Sequence, residues 1–130
     1  MLSPHIKSKS WFFQNTAQAI YPNIYLPKRV YNNLNSNNPD PKNLAVLIHE
    51  QTHIKRQKEI GCLKWGIKYL FLPRFRFEEE LLAIKAQMSY LKKHKKEFDI
   101  EKSAKYLSGW LYLWPVSYKF AKKELEKVWG

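Results

Sequence analysis

One five-residue sequence, His-Glu-Gln-Thr-His at positions 49–53, constrains the fold of this chain more than any other feature. In an α-helix, residues four apart lie one above the other on the same face, so His49 and His53 converge on one point. Two imidazoles at this spacing match two corners of a zinc tetrahedron, and Glu50 then lies beside the ion as a general base. The apolar residues from Leu44 to Ile48 predict a helix buried deeply enough to keep such a site dry.

Length and composition predict a single domain over residues 1–130. The chain is long enough for one hydrophobic core, and 45% hydrophobic with 15% aromatic residues indicates a globular fold rather than disorder. Cys62 is the one cysteine, which excludes a disulfide framework and a cysteine-rich structural zinc site and suits a reducing compartment. Because the N-terminal residues lack the apolar core of a signal peptide and no run reaches the ~18 apolar residues of a membrane span, we expect a cytoplasmic protein.

The chain is strongly basic, with 23 lysines and arginines against 11 acidic residues and a formal net charge of +12. Such a balance attracts nucleic acids, anionic lipids and acidic proteins without selecting among them. We therefore expect a weak electrostatic association with anionic partners, and the lysine-rich residues 92–96 are predicted to be a solvated helix end. Lysines, arginines and a proline interrupt the apolar stretch from Leu63 to Phe77, which favours a partly buried helix and loop over a helix lying on a membrane.

The N-terminal third predicts a small β element before the motif helix, within a mainly α (α+β) fold. Residues 1–17 are poorly patterned; Trp11, Phe12 and Phe13 are expected to pack and the rest to be mobile. The segment from Ala19 to Val30 is rich in β-formers and contains two prolines, so we expect a short strand or hairpin at a sheet edge.

Helix signals divide the remainder of the chain. Asp40 as N-cap, Pro41 at the first helical position and Gly61 as C-terminal cap delimit the motif helix at residues 41–60. The other predicted segments are a loop at 32–42 and helices at 63–72, 75–93, 101–108 and 116–128, the last two separated by breaks at Gly109 and Pro115.

A catalytic zinc site needs three protein ligands and one open position, so the histidine pair demands a third ligand elsewhere. A third histidine shortly after a glycine, as in metzincins, is excluded because neither residue occurs at the required places. His5 and His94 lie in the unpatterned N-terminus and in the lysine cluster, which makes both poor candidates. The remaining candidates are three consecutive acidic residues, Glu78, Glu79 and Glu80.

Helical spacing favours Glu80 among these three. Glu80, Ala83 and Gln87 share one face of the predicted helix, apart from its apolar stripe. That stripe consists of Phe77, Leu81, Ile84, Met88 and Leu91. A small alanine beside Glu80 would let this helix approach the motif helix closely. We therefore predict that His49, His53 and Glu80 hold a zinc ion, and the two preceding glutamates stay as the alternatives for the third ligand.

The motif, a basic-aromatic segment and the pattern Arg76-x-Glu-x-Glu80-x-x-Ala83-x-x-x-Gln87 together resemble the small minimal gluzincins, compact zinc proteins often found in bacteria and phages. The resemblance covers about residues 20–95. It departs from the common pattern at Leu81-Leu82, where an acidic residue or alanine usually follows the ligand glutamate. The resemblance implies a zincin-like fold and hydrolysis of a peptide bond, with an extended peptide docked on the strand before the motif helix, here Ile24 to Leu26.

The sequence thus predicts a zinc metallopeptidase that acts on a peptide or protein. Zinc lowers the pKa of its bound water and polarises the substrate carbonyl, and Glu50 accepts the proton of that water. The candidates for stabilising the oxyanion are Arg76, Tyr106, Tyr112 and Tyr118.

Two other interpretations remain. The chain is a catalytically inactive zincin, or it is a basic nucleic-acid- or surface-binding module in which the motif is incidental. Intact Glu50 argues against the first, because a non-catalytic site needs no base. The net charge and the interleaved aromatic residues at 65–71 support the second, but the sequence contains neither an RNP-like motif nor zinc-finger spacing.

Overall fold

Residues 2–9, 16–109 and 116–130 are described by a computed structural model of the chain. It is mainly helical with a small sheet before the second helix, which confirms the predicted mainly α (α+β) class. The strands are β1 (Ile6–Ser8), β2 (Gln18–Ile20) and β3 (Asn23–Leu26). The helices are α1 (Lys28–Leu34), α2 (Pro41–Ile60), α3 (Cys62–Phe71), α4 (Pro73–Lys93), α5 (Ile100–Leu107) and α6 (Tyr118–Trp129). The predictions for Trp11, Phe12, Phe13, Tyr112 and Pro115 lie outside the described residues.

The three strands form one sheet in the order β1-β3-β2, so β3 is central. β1 runs parallel to β3, with Ile6 opposite Ile24, and β2 runs antiparallel to it, with Ala19 opposite Ile24 on the other side. The prediction that the strand from Ile24 to Leu26 lies at a sheet edge is therefore wrong. Pro22 and Pro27 flank β3 rather than interrupt it, so their missing N–H groups remove no bond from the ladder.

Two elements near the N-terminus are absent from the sequence predictions. The expectation of mobile residues before position 11 is wrong for β1, because its Ile6 is buried with Ile24 of β3. α1 occupies residues that the sequence predicts to be the end of the β segment and the start of the loop. Val30 and Leu34 are four residues apart, so both enter the same core, and this burial outweighs the low helix propensity of the asparagines between them.

α2 begins and ends where the sequence predicts. The side chain of Asp40 accepts a hydrogen bond from the Lys42 N–H at 2.9 Å, and Gly61 takes a φ of 104° that favours glycine at the helix end. The helix packs against the sheet on one side and against α4 on the other. Leu47 of α2 is buried in the core that this helix forms with the sheet. On the side of α4, Ala83 is fully buried, with 0% of its surface exposed. α2 is therefore held between both halves of the fold, with its middle turns inside.

The second core joins α4, α5 and α6. Its buried members are Phe77, Ile84, Met88, Ala104, Leu107, Ala121 and Leu125, with Leu81 packed against them. Apart from half-buried Leu81, the apolar stripe predicted for α4 is buried, and α5 and α6 lie close to their predicted bounds. None of the helices in the described ranges combines the length and apolar character needed to cross a membrane.

Candidate metal centre

The motif histidines meet on the buried side of α2, as their spacing requires. The rings of His49 and His53 contact edge to face, with centroids 4.9 Å apart. Their side chains are only 15% and 6% exposed. The two imidazoles are thus held close together in a place largely shielded from water, where a charge or a metal ion interacts strongly with its ligands.

α4 brings Glu80 between the two histidines. One carboxylate oxygen, Oε1, lies 3.2 Å from His49 Nε2, and the other, Oε2, lies 2.8 Å from His53 Nε2. One ligand atom from each of the three residues falls within 4.8 Å of the others. Zinc bonds of about 2.0–2.2 Å in a tetrahedron separate the donor atoms by roughly 3.3–3.5 Å, so these side chains need only small shifts to share one ion.

Electrostatics couple the three groups. Burial alone would raise the pKa of Glu80, but the charge of His53 and hydrogen bonds from both histidines hold it well below its usual range. Burial opposes protonation of His49, yet the hydrogen bond and charge of Glu80 raise its pKa to about 9. The pKa of His53 is raised against burial, chiefly by the charge of Glu80. Protons would therefore compete with a divalent cation for this cluster.

Further hydrogen bonds orient these side chains. His49 Nδ1 lies 2.9 Å from Oε1 of Gln87, so the amide oxygen accepts the ring N–H and the Nε2 atom faces Glu80. Tyr69 of α3 donates its O–H to Glu80 Oε2 at 2.8 Å. His53 Nδ1 is buried and finds no partner among the described residues, so only its Nε2 side is fixed by a hydrogen bond.

The sequence did not predict the contact of Tyr69 with Glu80. It placed Gln87 on the same helix face as Glu80 but did not predict its hydrogen bond with His49. The signal for Tyr69 is its spacing from Trp65: four residues apart on α3, the two rings stack with centroids 4.7 Å apart. Both rings meet His53 edge to face, with centroid distances of 5.7 and 6.4 Å. This aromatic pair at helical spacing therefore forms the wall that covers His53.

Glu50 lies beside the cluster and lines an open cleft of about 500 Å³. The residue is 6% exposed, and no described residue donates a hydrogen bond to its carboxylate. Burial raises the pKa of Glu50 above its ordinary value, against the charges of His49 and His53. Lys9, 2% exposed, adds a smaller opposing effect; its ammonium donates to the carbonyl oxygen of Thr16 at 3.0 Å. The carboxylate is therefore free to accept a proton from the cleft.

The other predicted site residues are distributed unevenly. Tyr106 of α5 lines the cleft together with His49 and Glu50. Arg76 is buried beneath α3, where it donates to the carbonyl oxygens of Tyr69 and Leu70. Tyr118 is 37% exposed and does not line the cleft. Among the described oxyanion candidates, only Tyr106 is therefore positioned at the cleft wall.

The two alternative ligands have other partners. Glu79 is 3% exposed and forms a bidentate ion pair with Arg56, and it also accepts the indole N–H of Trp65 at 2.8 Å. Glu78 forms an exposed pair with Arg74 on the same helix at 3.2 Å. Neither carboxylate belongs to the group formed by His49, His53 and Glu80.

Comparisons with known proteins gave no match. No family model, no curated protein and no solved structure is significantly similar to this chain. The resemblance to gluzincins therefore rests on the motif residues and their spacing, and it stays a prediction.

Proposed function

We propose that this protein is a zinc-dependent peptide hydrolase in which His49, His53 and Glu80 hold the ion and Glu50 is the general base. One observation carries the proposal: two imidazoles from α2 and a carboxylate from α4, with His49 and Glu80 31 residues apart in the sequence, converge within 4.8 Å beside the buried carboxylate of Glu50, to which no described residue donates a hydrogen bond. The donor set of two histidines and one glutamate is one that catalytic zinc sites use.

The chain's own groups supply the remaining chemistry. When bound, zinc would act as a Lewis acid that polarises a carbonyl and lowers the pKa of water. Glu50 accepts a proton from a water in the cleft and delivers it to the leaving amine, and its raised pKa makes the carboxylate a stronger base. Gln87 holds His49 with Nε2 toward the ion position. Tyr106 is the candidate donor for the oxyanion, because it lines the same cleft.

Because β3 is the central strand, the peptide must dock elsewhere than on the strand that the sequence predicts. A peptide cannot pair with β3, since β1 and β2 occupy both of its sides. Thr16 and Ala17, which lead into the edge strand β2, line the cleft, whereas farther along the Gln57 side chain already bonds the Ala19 carbonyl and the Tyr21 N–H. Because Lys9 already bonds the Thr16 carbonyl, we place an extended peptide along the cleft wall that Ala17 forms at the start of β2.

The cleft suits a polar chain rather than a compact apolar ligand. Its rim carries cations at Arg29, Lys42 and Lys102 and acids at Glu97 and Asp99. Both signs of charge lie around one open channel, so a peptide of mixed charge finds partners along its length. We extend the proposal to a cytoplasmic location, which the exposed free thiol of the one cysteine supports.

Metal analysis and three substitutions test this proposal. Purified protein should contain about one zinc per chain and should cleave fluorogenic peptides from a mixed-sequence library. Glu50→Gln should retain the zinc and lose about 10²-fold to 10⁴-fold in kcat/KM, because it keeps the shape but not the base. Glu80→Ala should lose zinc, whereas Glu78→Ala, the matched control in the same turn of α4, should keep both zinc and activity.

The outcomes separate the rival functions. Zinc without hydrolysis in the unmodified protein would favour the inactive zincin, and absence of both would favour the basic binding module. Hydrolysis that persists at full rate in Glu50→Gln would refute the assignment of the base. Unchanged zinc content in Glu80→Ala would refute the ligand set.

A further inference from the structure

One helix exposes most of its apolar side chains to water. On α3, Leu63 is 79% exposed, Phe71 74%, Leu70 62% and Ile67 51%. At 100° per residue these four positions fall within one stripe about 100° wide along the helix. We call them the α3 apolar face. Such a continuous exposed stripe, in contrast to scattered single residues, marks an interaction surface.

The opposite side of α3 is already occupied. Trp65 and Tyr69 point into the protein, where they bond Glu79 and Glu80 of α4. The helix is therefore fixed in rotation, and the α3 apolar face cannot turn inward without breaking both hydrogen bonds. The α3 apolar face is therefore exposed because the fold holds α3 in this orientation, and not because the helix is loosely attached.

Positive charge borders the stripe. Lys64 and Lys68 follow Leu63 and Ile67 directly and lie along one side of the α3 apolar face by helical geometry. α3 contains no aspartate or glutamate, and Arg74 follows its end. Long lysine side chains can extend their ammonium groups to a charged surface while their stems lie along apolar material.

We propose that the α3 apolar face docks on a membrane surface that contains anionic phospholipid. An amphipathic helix with aliphatic and aromatic side chains on one face and lysines at its border lies at the boundary between headgroups and acyl chains. The charge of the whole protein, +12, adds attraction toward the same surface. A nucleic acid would match the lysines but would leave the four apolar side chains in water.

The docked orientation leaves the cleft accessible. No residue of α3 lines the cleft that contains Glu50, because α3 covers the cluster from the side of His53. A protein held by this helix would thus present its cleft toward molecules at or near the membrane. The proposal concerns a separate surface and does not depend on hydrolysis or on a bound metal.

Co-sedimentation of the full chain with vesicles tests the apolar part. Vesicles of phosphatidylcholine with about one third phosphatidylserine should bind the protein, and pure phosphatidylcholine should bind it at least tenfold more weakly. Leu70→Ser with Phe71→Ser keeps the charge and should weaken binding to the anionic vesicles by about a hundredfold, since the loss of apolar burial at each side chain contributes about tenfold. Leu82→Ser, an exposed leucine on α4, is the control and should bind normally.

Two double variants of equal net charge test the contribution of the lysines that border the α3 apolar face. Lys64→Gln with Lys68→Gln should weaken binding roughly tenfold to thirtyfold, because each cation near an anionic surface contributes about fivefold. Lys105→Gln with Lys119→Gln, on α5 and α6, should have a much smaller effect. Circular dichroism verifies that all variants are folded.

Any of four results would overturn the proposal. The unmodified protein stays in the supernatant with anionic vesicles; or the serine variant binds as well as the Leu82 control; or the two lysine pairs weaken binding equally. A dimer of the unmodified protein that the serine variant converts to a monomer would also overturn it, since the α3 apolar face would then be covered by a second copy.

Discussion

Replacing Glu79 by alanine should destabilise the protein without removing a metal ligand. Glu79 joins three helices: its carboxylate accepts three hydrogen bonds from Arg56 of α2 and one from the indole N–H of Trp65 of α3. Trp65 is 8% exposed, so its unpaired N–H would be left in the interior. An unsatisfied buried donor costs about 1–3 kcal/mol. Its neighbour Glu78 has only an exposed partner on its own helix.

The ion pair adds a smaller amount. Removing one partner of a fully buried pair costs about 3–5 kcal/mol, but the Arg56 side chain is 31% exposed and regains water, which reduces its share to about 1–2 kcal/mol. The two contributions give roughly 3 kcal/mol of unfolding free energy. With a urea m value of about 1.5 kcal/mol/M, the midpoint of the metal-free protein should fall by about 2 M.

Urea titrations of Glu79→Ala, Glu78→Ala and Glu79→Gln provide the assay and its controls. Glu78→Ala should change the unfolding free energy by less than about 0.5 kcal/mol, because its ion pair is exposed. Glu79→Gln should lie between the unmodified protein and Glu79→Ala, since its amide oxygen can still accept from Trp65. If Glu79→Ala is no less stable than Glu78→Ala, the three-helix junction contributes nothing. If it removes zinc from folded protein as Glu80→Ala should, Glu79 is the ligand.

Three further predictions concern the same region. Gln87→Ala should weaken zinc binding about 10-fold to 100-fold in a chelator competition, because the His49 ring loses its orienting acceptor; unchanged affinity would contradict that role. Gly66→Ala should raise the unfolding free energy by about 0.5–1 kcal/mol, because an added Cβ on this helical glycine meets nothing within 4 Å; a lower urea midpoint would refute it. The His49 pKa is raised to about 9, so the stability it contributes to the metal-free protein is present below pH ~6.5 and should be lost as pH rises through 9. Zinc affinity should rise over the same range, by about tenfold per pH unit for each proton displaced, and a flat calorimetric pH profile would contradict this.

The parts of the fold that depend on local sequence were predictable. Asp40, Pro41 and Gly61 delimit α2 through contacts within a few residues, and the helical spacing of Glu80, Ala83 and Gln87 places them on one face whatever α4 packs against. The site histidines follow from the same rule. These elements need no knowledge of the rest of the chain.

The sequence predictions are wrong or incomplete where residues distant in the chain determine the local structure. β3 is central because Ile6, 18 residues earlier, pairs with Ile24, and nothing in the composition around Ile24 indicates that partner. α1 forms because Val30 and Leu34 are buried against the sheet, although the adjacent asparagines favour a turn. The hydrogen bond of Tyr69 to Glu80 joins α3 to α4, and the residue spacing within α3 alone cannot predict it.

The two adjacent glutamates explain how the cluster keeps its geometry. In a helix they point about 100° apart, so Glu79 faces Arg56 and Trp65 while Glu80 faces the histidines. α3 meets them with side chains one turn apart: Trp65 bonds the first and Tyr69 the second. A shift of α4 by one residue would break both bonds and bury an unpaired carboxylate, which is strongly unfavourable. The register that stabilises the three-helix junction is therefore the same register that sets a carboxylate between two imidazoles.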